Sequence, residues 1–160
     1  MPLTYISEEH IENIIDTYYE SDKKFFSDRE NLQNNQPAFS ALLTDESYEL
    51  LSDDEYELLW FLATVIHTSV SLNHGQLKAM DQKSMEELEE KNWTTMENTV
   101  NKNFKERLNV FFESYPQEDL LAFVEDSIES DEDIQVSAPG MELIFVSCKT
   151  LIDALIIMAK

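Results

Sequence analysis

The chain is poor in the residues that cross-link, break or sharply turn a backbone. It has one cysteine, two glycines and four prolines in 160 residues. The single cysteine, Cys148, allows no internal disulfide and fits a reducing, cytoplasmic setting. Glycine and proline together make up six residues, where average usage would give about 12% of a chain. Turns that need positive φ are therefore scarce, which excludes a β-sandwich and a glycine-rich phosphate-binding fold. Basic residues are scarce too: 11 Lys and Arg stand against 33 Asp and Glu, a formal charge of −22. Such a surface repels nucleic acid phosphates and anionic lipid, and leaves basic partners and cations. The first ten residues hold no basic region and no apolar core, so they do not read as a signal peptide. The longest apolar stretch, 141–158, contains Glu142, Lys149 and Asp153 and reads as a buried helix, not a membrane span.

What is present points to an all-α fold. Apolar residues at 42% and aromatics at 11% are enough for a core and argue against acidic disorder. Ser7 has the position of an N-cap, with Ile6 and Ile11 as a hydrophobic staple, and the apolar spacing predicts one helix from there to about Phe26. The polar stretch 31–36 reads as a connection, and Pro37 as the opening of a short helix holding Phe39 and Leu42. Ser52 and Glu55 fit a capping box at the head of a helix that Gly75 stops. That helix is apolar nearly all round, as a central helix must be. Further helices are predicted over about 76–91, 93–113, from Pro116, and from Pro139 to the end. The expectation is a single domain, 1–160: a compact bundle of six or seven helices, centred on the helices that start near 53 and 139.

Weak internal matches suggest two similar three-helix halves, 7–74 and 93–159. Phe25-Phe26 pairs with Phe111-Phe112, Ala38-Phe39 with Ala122-Phe123, and the stretch from Glu57 to Trp60 with that from Glu142 to Phe145, at offsets of 86, 84 and 85. The charge pattern agrees: no Lys or Arg occurs over 30–77 or 108–148, stretches that hold 18 of the 33 acids. Duplication is one reading of this. Chance matching of apolar positions in a helical chain is the other. On the first reading, Trp60 and Phe145 are buried at equivalent places.

Chemical motifs are few. His67 and His74 stand two turns apart on one helix, too far to share an ion, and His10 lies among solvated acids. Glu86 and Glu90 share a helix face, but no histidine has a glutamate three residues before it, so the run 86–90 reads as a solvated face. Asp131, Asp133, Gln135 and Glu142 fall on positions 1, 3, 5 and 12 of a calcium loop. Val136 occupies the position of the required glycine and Pro139 starts a helix inside the loop, so an acidic linker is the favoured reading. Cys148 has no base near it in sequence and reads as core. No catalytic residue and no cofactor is expected.

The segments Pro116–Glu125, Glu142–Val146 and Lys149–Leu155 resemble a group of small acidic bacterial helical proteins of unknown function. The resemblance covers mainly the C-terminal third. It implies an all-α fold in a bacterial cytoplasm and no active site. The sequence thus points to a non-catalytic interaction module for a protein partner, of basic character if the acidity is used. A nucleic acid mimic that occupies a basic DNA-binding protein is the alternative, and a small enzyme or metal protein the third reading.

Overall fold

The structure is a computed structural model and describes residues 2–99, 102–129 and 135–160. Among these residues it is all-helical. Eight α-helices occur: α1 (Glu8–Glu20), α2 (Asp22–Asn35), α3 (Pro37–Leu42), α4 (Asp53–His74), α5 (Gln82–Glu97), α6 (Phe104–Phe112), α7 (Glu118–Ile128) and α8 (Ala138–Met158). A 3-10 turn, Glu46–Leu50, joins α3 to α4. No described helix is long and apolar enough to cross a membrane.

The two most apolar helices, α4 and α8, pack against each other at the centre. Trp60 on α4 and Phe145 on α8 are both in the core, at 3% and 0% exposure. Trp60 meets Phe39 edge-on at 6.4 Å and Phe145 meets Phe111 edge-on at 5.2 Å. Helices α1, α2 and α7 cover α4, while α5 and α7 cover α8.

Several boundaries differ from the sequence expectation: the helix expected from about 76 starts only at Gln82, and the one expected over 93–113 is replaced by the end of α5 at Glu97 and a separate α6 from Phe104. The first helix does not run to Phe26. Ser21 leaves helical geometry and its side chain caps α2 by accepting from the Lys24 amide at 3.2 Å. The stretch 31–35 is helical, because Leu32 and Asp28 turn inward and bury that face of α2. The break expected near Asn92 falls inside α5: Asn92 is buried, and its amide donates to Thr150 and Asp153, both at 3.1 Å. Helix α7 begins after Gln117, two residues beyond Pro116.

Two local devices set how the outer helices lie. Gln36 and Gln117 both leave helical geometry, with φ,ψ of −127°, 68° and −122°, 59°, immediately before α3 and α7. Each buries its amide and clasps a non-helical segment elsewhere in the chain. Gln117 Nε2 donates to the Thr4 carbonyl at 3.1 Å and its Oε1 accepts from the Ile6 amide at 2.9 Å. Gln36 Nε2 donates to the Lys78 carbonyl and its Oε1 accepts from the Met80 amide, both at 3.0 Å. The clasped residues lead directly into Ser7, which caps α1, and Asp81, which caps α5. In consequence α1 lies against α7 and α5 against α3.

The second device is a shared cap. Ser52 and Glu55 form the expected capping box at the head of α4. Glu55 Oε1 accepts from the Ser52 amide at 2.9 Å. Its other oxygen accepts from the amide and hydroxyl of Ser137, at 2.9 and 3.0 Å. Ser137 is the N-cap of α8, so one carboxylate closes the first turns of both central helices. Gly140, at the position in α8 that Glu55 holds in α4, leaves the space this carboxylate fills.

Candidate functional site

A groove with a volume of about 830 Å3 lies between α3 with its following turn and α5. The sequence of α5 makes one wall. Its buried positions, Met85, Asn92 and Met96, turn inward. The complementary stripe of Glu86, Glu89, Glu90, Trp93 and Glu97, spaced by three or four residues, faces the groove. The opposite wall carries Asp45 and Glu46, and Ala38, Ala41 and Leu42 supply an apolar strip beside Trp93. Among the described residues six carboxylates and no Lys or Arg line the groove.

Two of these acids are held in place by the fold. Asp45 accepts from the Ser47 amide and hydroxyl, which hold its carboxyl below the usual range. Glu89 is the most enclosed. Burial pushes its carboxyl above the usual range, and the charges of Asp45 and Glu86 push it further, against the pull of the Tyr48 hydroxyl. That hydroxyl lies 3.3 Å from Glu89 and 2.6 Å from Ser147 Oγ on α8, so the groove wall is tied to the central helix. These carboxylates crowd within distances that physiological salt screens only in part. An incoming positive charge relieves that crowding.

Comparison with protein-family models, curated proteins and solved structures finds no match. The chemistry of the groove therefore stands on its own geometry. Among the described residues no three His, Cys, Asp or Glu side chains converge as a metal ion would require. The acids are spread along the groove instead, an arrangement suited to an extended ligand with several positive charges.

The other candidates from the sequence lie elsewhere. Asp131 and Asp133 fall outside the described residues. Gln135 is exposed, and Glu142 pairs with Arg107, which also donates to the Met96 carbonyl at 3.1 Å. His67 is buried on α4, with Nε2 2.9 Å from Asn35 Oδ1. Because Asn35 Oδ1 also accepts from Gln36, that nitrogen of His67 carries the proton. Burial lowers its pKa to about 4, against a small opposing pull from Asp28. His67 lines a separate polar cavity of about 440 Å3 with Asn31, Asn34, Asn35, Ser71 and Gln76, while His74 ends α4. Cys148 is fully buried and its thiol is pushed up by burial, the reverse of an activated nucleophile. Lys149 does not act on it. Its ammonium bonds Asp153 at 2.8 Å and Asn92 at 3.2 Å.

Sequence reasoning set Glu86 and Glu90 aside as a solvated face and missed the groove. Trp93 was the available signal: a tryptophan in the same stripe as the acids gives that face an apolar component. The opposite wall depends on the Gln36 clasp, which joins residues more than 40 positions apart.

Proposed function

We propose that this protein is a non-catalytic interaction module that docks a basic helical segment of a partner protein in the α3–α5 groove. The observation that carries this reading is the combination of six carboxylates, no base, and an apolar strip ending at Trp93. Charge alone would favour any cation. The apolar strip favours an amphipathic helix, with lysine or arginine toward the walls and aliphatic side chains on the floor. Such a partner gains on-rate from the acidic field and residence from the apolar contact.

Tryptophan fluorescence tests it directly, because Trp60, the other tryptophan, is buried in the core. Titration with an amphipathic Leu/Lys peptide of about 18 residues, five helical turns, should shift the Trp93 emission saturably. A scrambled peptide of equal composition should not. Equal response to both would defeat the reading.

The nucleic acid mimic remains the second reading, motivated by the charge of −22. A mimic presents carboxylates in place of phosphates and has no use for the apolar strip. Trp93→Ala should therefore weaken the peptide complex severalfold, while a mimic would go on displacing duplex DNA from a basic DNA-binding domain unaffected.

A further inference from the structure

The α3–α5 groove has a counterpart between α1 and α7. This second groove, of about 340 Å3, has Ile11, Ile15, Ala122 and Phe123 on its floor and Glu8, Glu12, Asp119 and Asp126 on its walls. Among the described residues it too is lined by no Lys or Arg.

The two grooves are built in the same way. Each is formed by a helix whose non-helical lead-in is clasped by a glutamine, and by the short helix which that glutamine starts. Counted from the caps Ser7 and Asp81, the two longer helices place like residues at like positions. Ile11 and Met85 are buried four residues in, and Glu12 and Glu86 stand on the walls five residues in. Tyr19 and Trp93 follow twelve residues in, Tyr19 with 82% of its surface exposed. Across the groove, counted from Gln36 and Gln117, Ala41 of α3 matches Ala122 of α7 five residues in.

We propose that the α1–α7 groove is a second docking site for the same class of ligand, a basic amphipathic helix, so that one molecule holds two such helices. The inference rests on the reading of the first groove and extends it. Charge complementarity selects the occupant: four carboxylates flank an apolar floor, and a helix with lysines on both flanks of an aliphatic stripe matches that order. A module with two grooves of like chemistry suits a partner that presents two copies of one helix, as a two-fold symmetric dimer does. Joining two modest sites to such a partner would raise its affinity through effective concentration, with no new contact.

Calorimetric titration with the Leu/Lys peptide at about 0.15 M salt tests the inference separately from the reading beneath it. The unaltered protein should bind two equivalents. E86K/E90K should bind one and lose the Trp93 response. E12K/D126K should also bind one but keep that response. All four altered positions are exposed, and unchanged helical circular dichroism would confirm that the variants fold. One equivalent in the unaltered protein, removed by E86K/E90K and untouched by E12K/D126K, would overturn the second site and leave the first standing. Two equivalents in both variants would place the peptide elsewhere and overturn the inference. Binding no better than that of the scrambled peptide would overturn both.

Discussion

Glu55 shows how one side chain can fix the relation between two helices. Burial works against its charge, but hydrogen bonds from Ser52 and Ser137 outweigh this and hold the carboxyl below the usual range. Glu55→Ala leaves the Ser52 and Ser137 amides without their acceptor and should cost about 1–3 kcal/mol, measured by chemical denaturation. Gly140 gives this arrangement a sharper test. Replacing glycine by alanine in a helix ordinarily stabilises by up to about 1 kcal/mol. Here a Cβ at position 140 would collide with the Glu55 carboxylate, which three hydrogen bonds pin in place. Gly140→Ala should therefore destabilise the natural protein and cost clearly less in the Glu55→Ala background, where only the 2.9 Å approach to the Ser137 hydroxyl remains. A double-mutant cycle reads this coupling, and strict additivity would show that the carboxylate is not shared. Trp60→Ala, with no such partner to compensate, should cost about 3–5 kcal/mol as a large core aromatic.

Capping chemistry was legible in the sequence wherever its partners are close in the chain, as at Ser7 and at Ser52 with Glu55. The α4 and α8 centre was legible too, because helices apolar on all sides have nowhere else to go. Pro37 and Pro116 marked the breaks before α3 and α7, but the clasps made there by Gln36 and Gln117 were not legible, since glutamine is not a usual cap and both partners lie far along the chain. Asn92 misled for the related reason that a polar residue in a helix reads as surface until its buried partners Thr150 and Asp153 are known. The acidic face of α5 read as solvated because nothing local reveals that α3 lies across from it. These clasps carry a prediction of their own. Gln36→Ala leaves the Lys78 carbonyl and the Met80 amide without their partner, and Gln117→Ala does the same to Thr4 and Ile6. Each should cost about 1–3 kcal/mol. Hydrogen exchange should show where: Gln36→Ala should free Met80 and the first turn of α5, and Gln117→Ala should free Ile6 and the first turn of α1. Loss of protection spread evenly over the fold would mean that the clasps do not set helix placement.

The charge of the chain and one buried histidine pull stability in opposite directions as pH falls. With −22 charges, 18 of the 33 acids lie in stretches without Lys or Arg. Added salt at pH 8 should therefore raise the melting temperature by screening repulsion. Glu89 and Glu125 have raised folded-state pKa values, in both cases first through burial and then through neighbouring carboxylates, with Lys105 opposing at Glu125. Their unfolded forms bind fewer protons, so they add stability as pH falls toward the ordinary glutamate value of about 4.3. Counting carboxylates alone, the sequence predicts a higher melting temperature near pH 5.5 than near pH 8. His67 has the opposite sign. Its folded pKa is lowered to about 4, so between there and about 6.5, the unperturbed value, the unfolded state binds more protons. Stability is then lost as pH falls, by on the order of 3 kcal/mol across the full window. Near pH 5.5 about 1.4 kcal/mol of it is gone, enough to offset a carboxylate gain of similar size. His67→Gln keeps an amide donor for Asn35 and removes the titration. The comparison is of slopes, which a uniform destabilisation by the substitution does not alter. Between pH 7 and 8.5 the two proteins should run parallel. Below pH 6.5 the natural protein should fall away from the variant, and the variant alone should show the gain expected of the carboxylates. Denaturant unfolding at pH 8, 6.5, 5.5 and 4.5 measures this, and parallel curves throughout would mean that His67 is not held neutral by the fold.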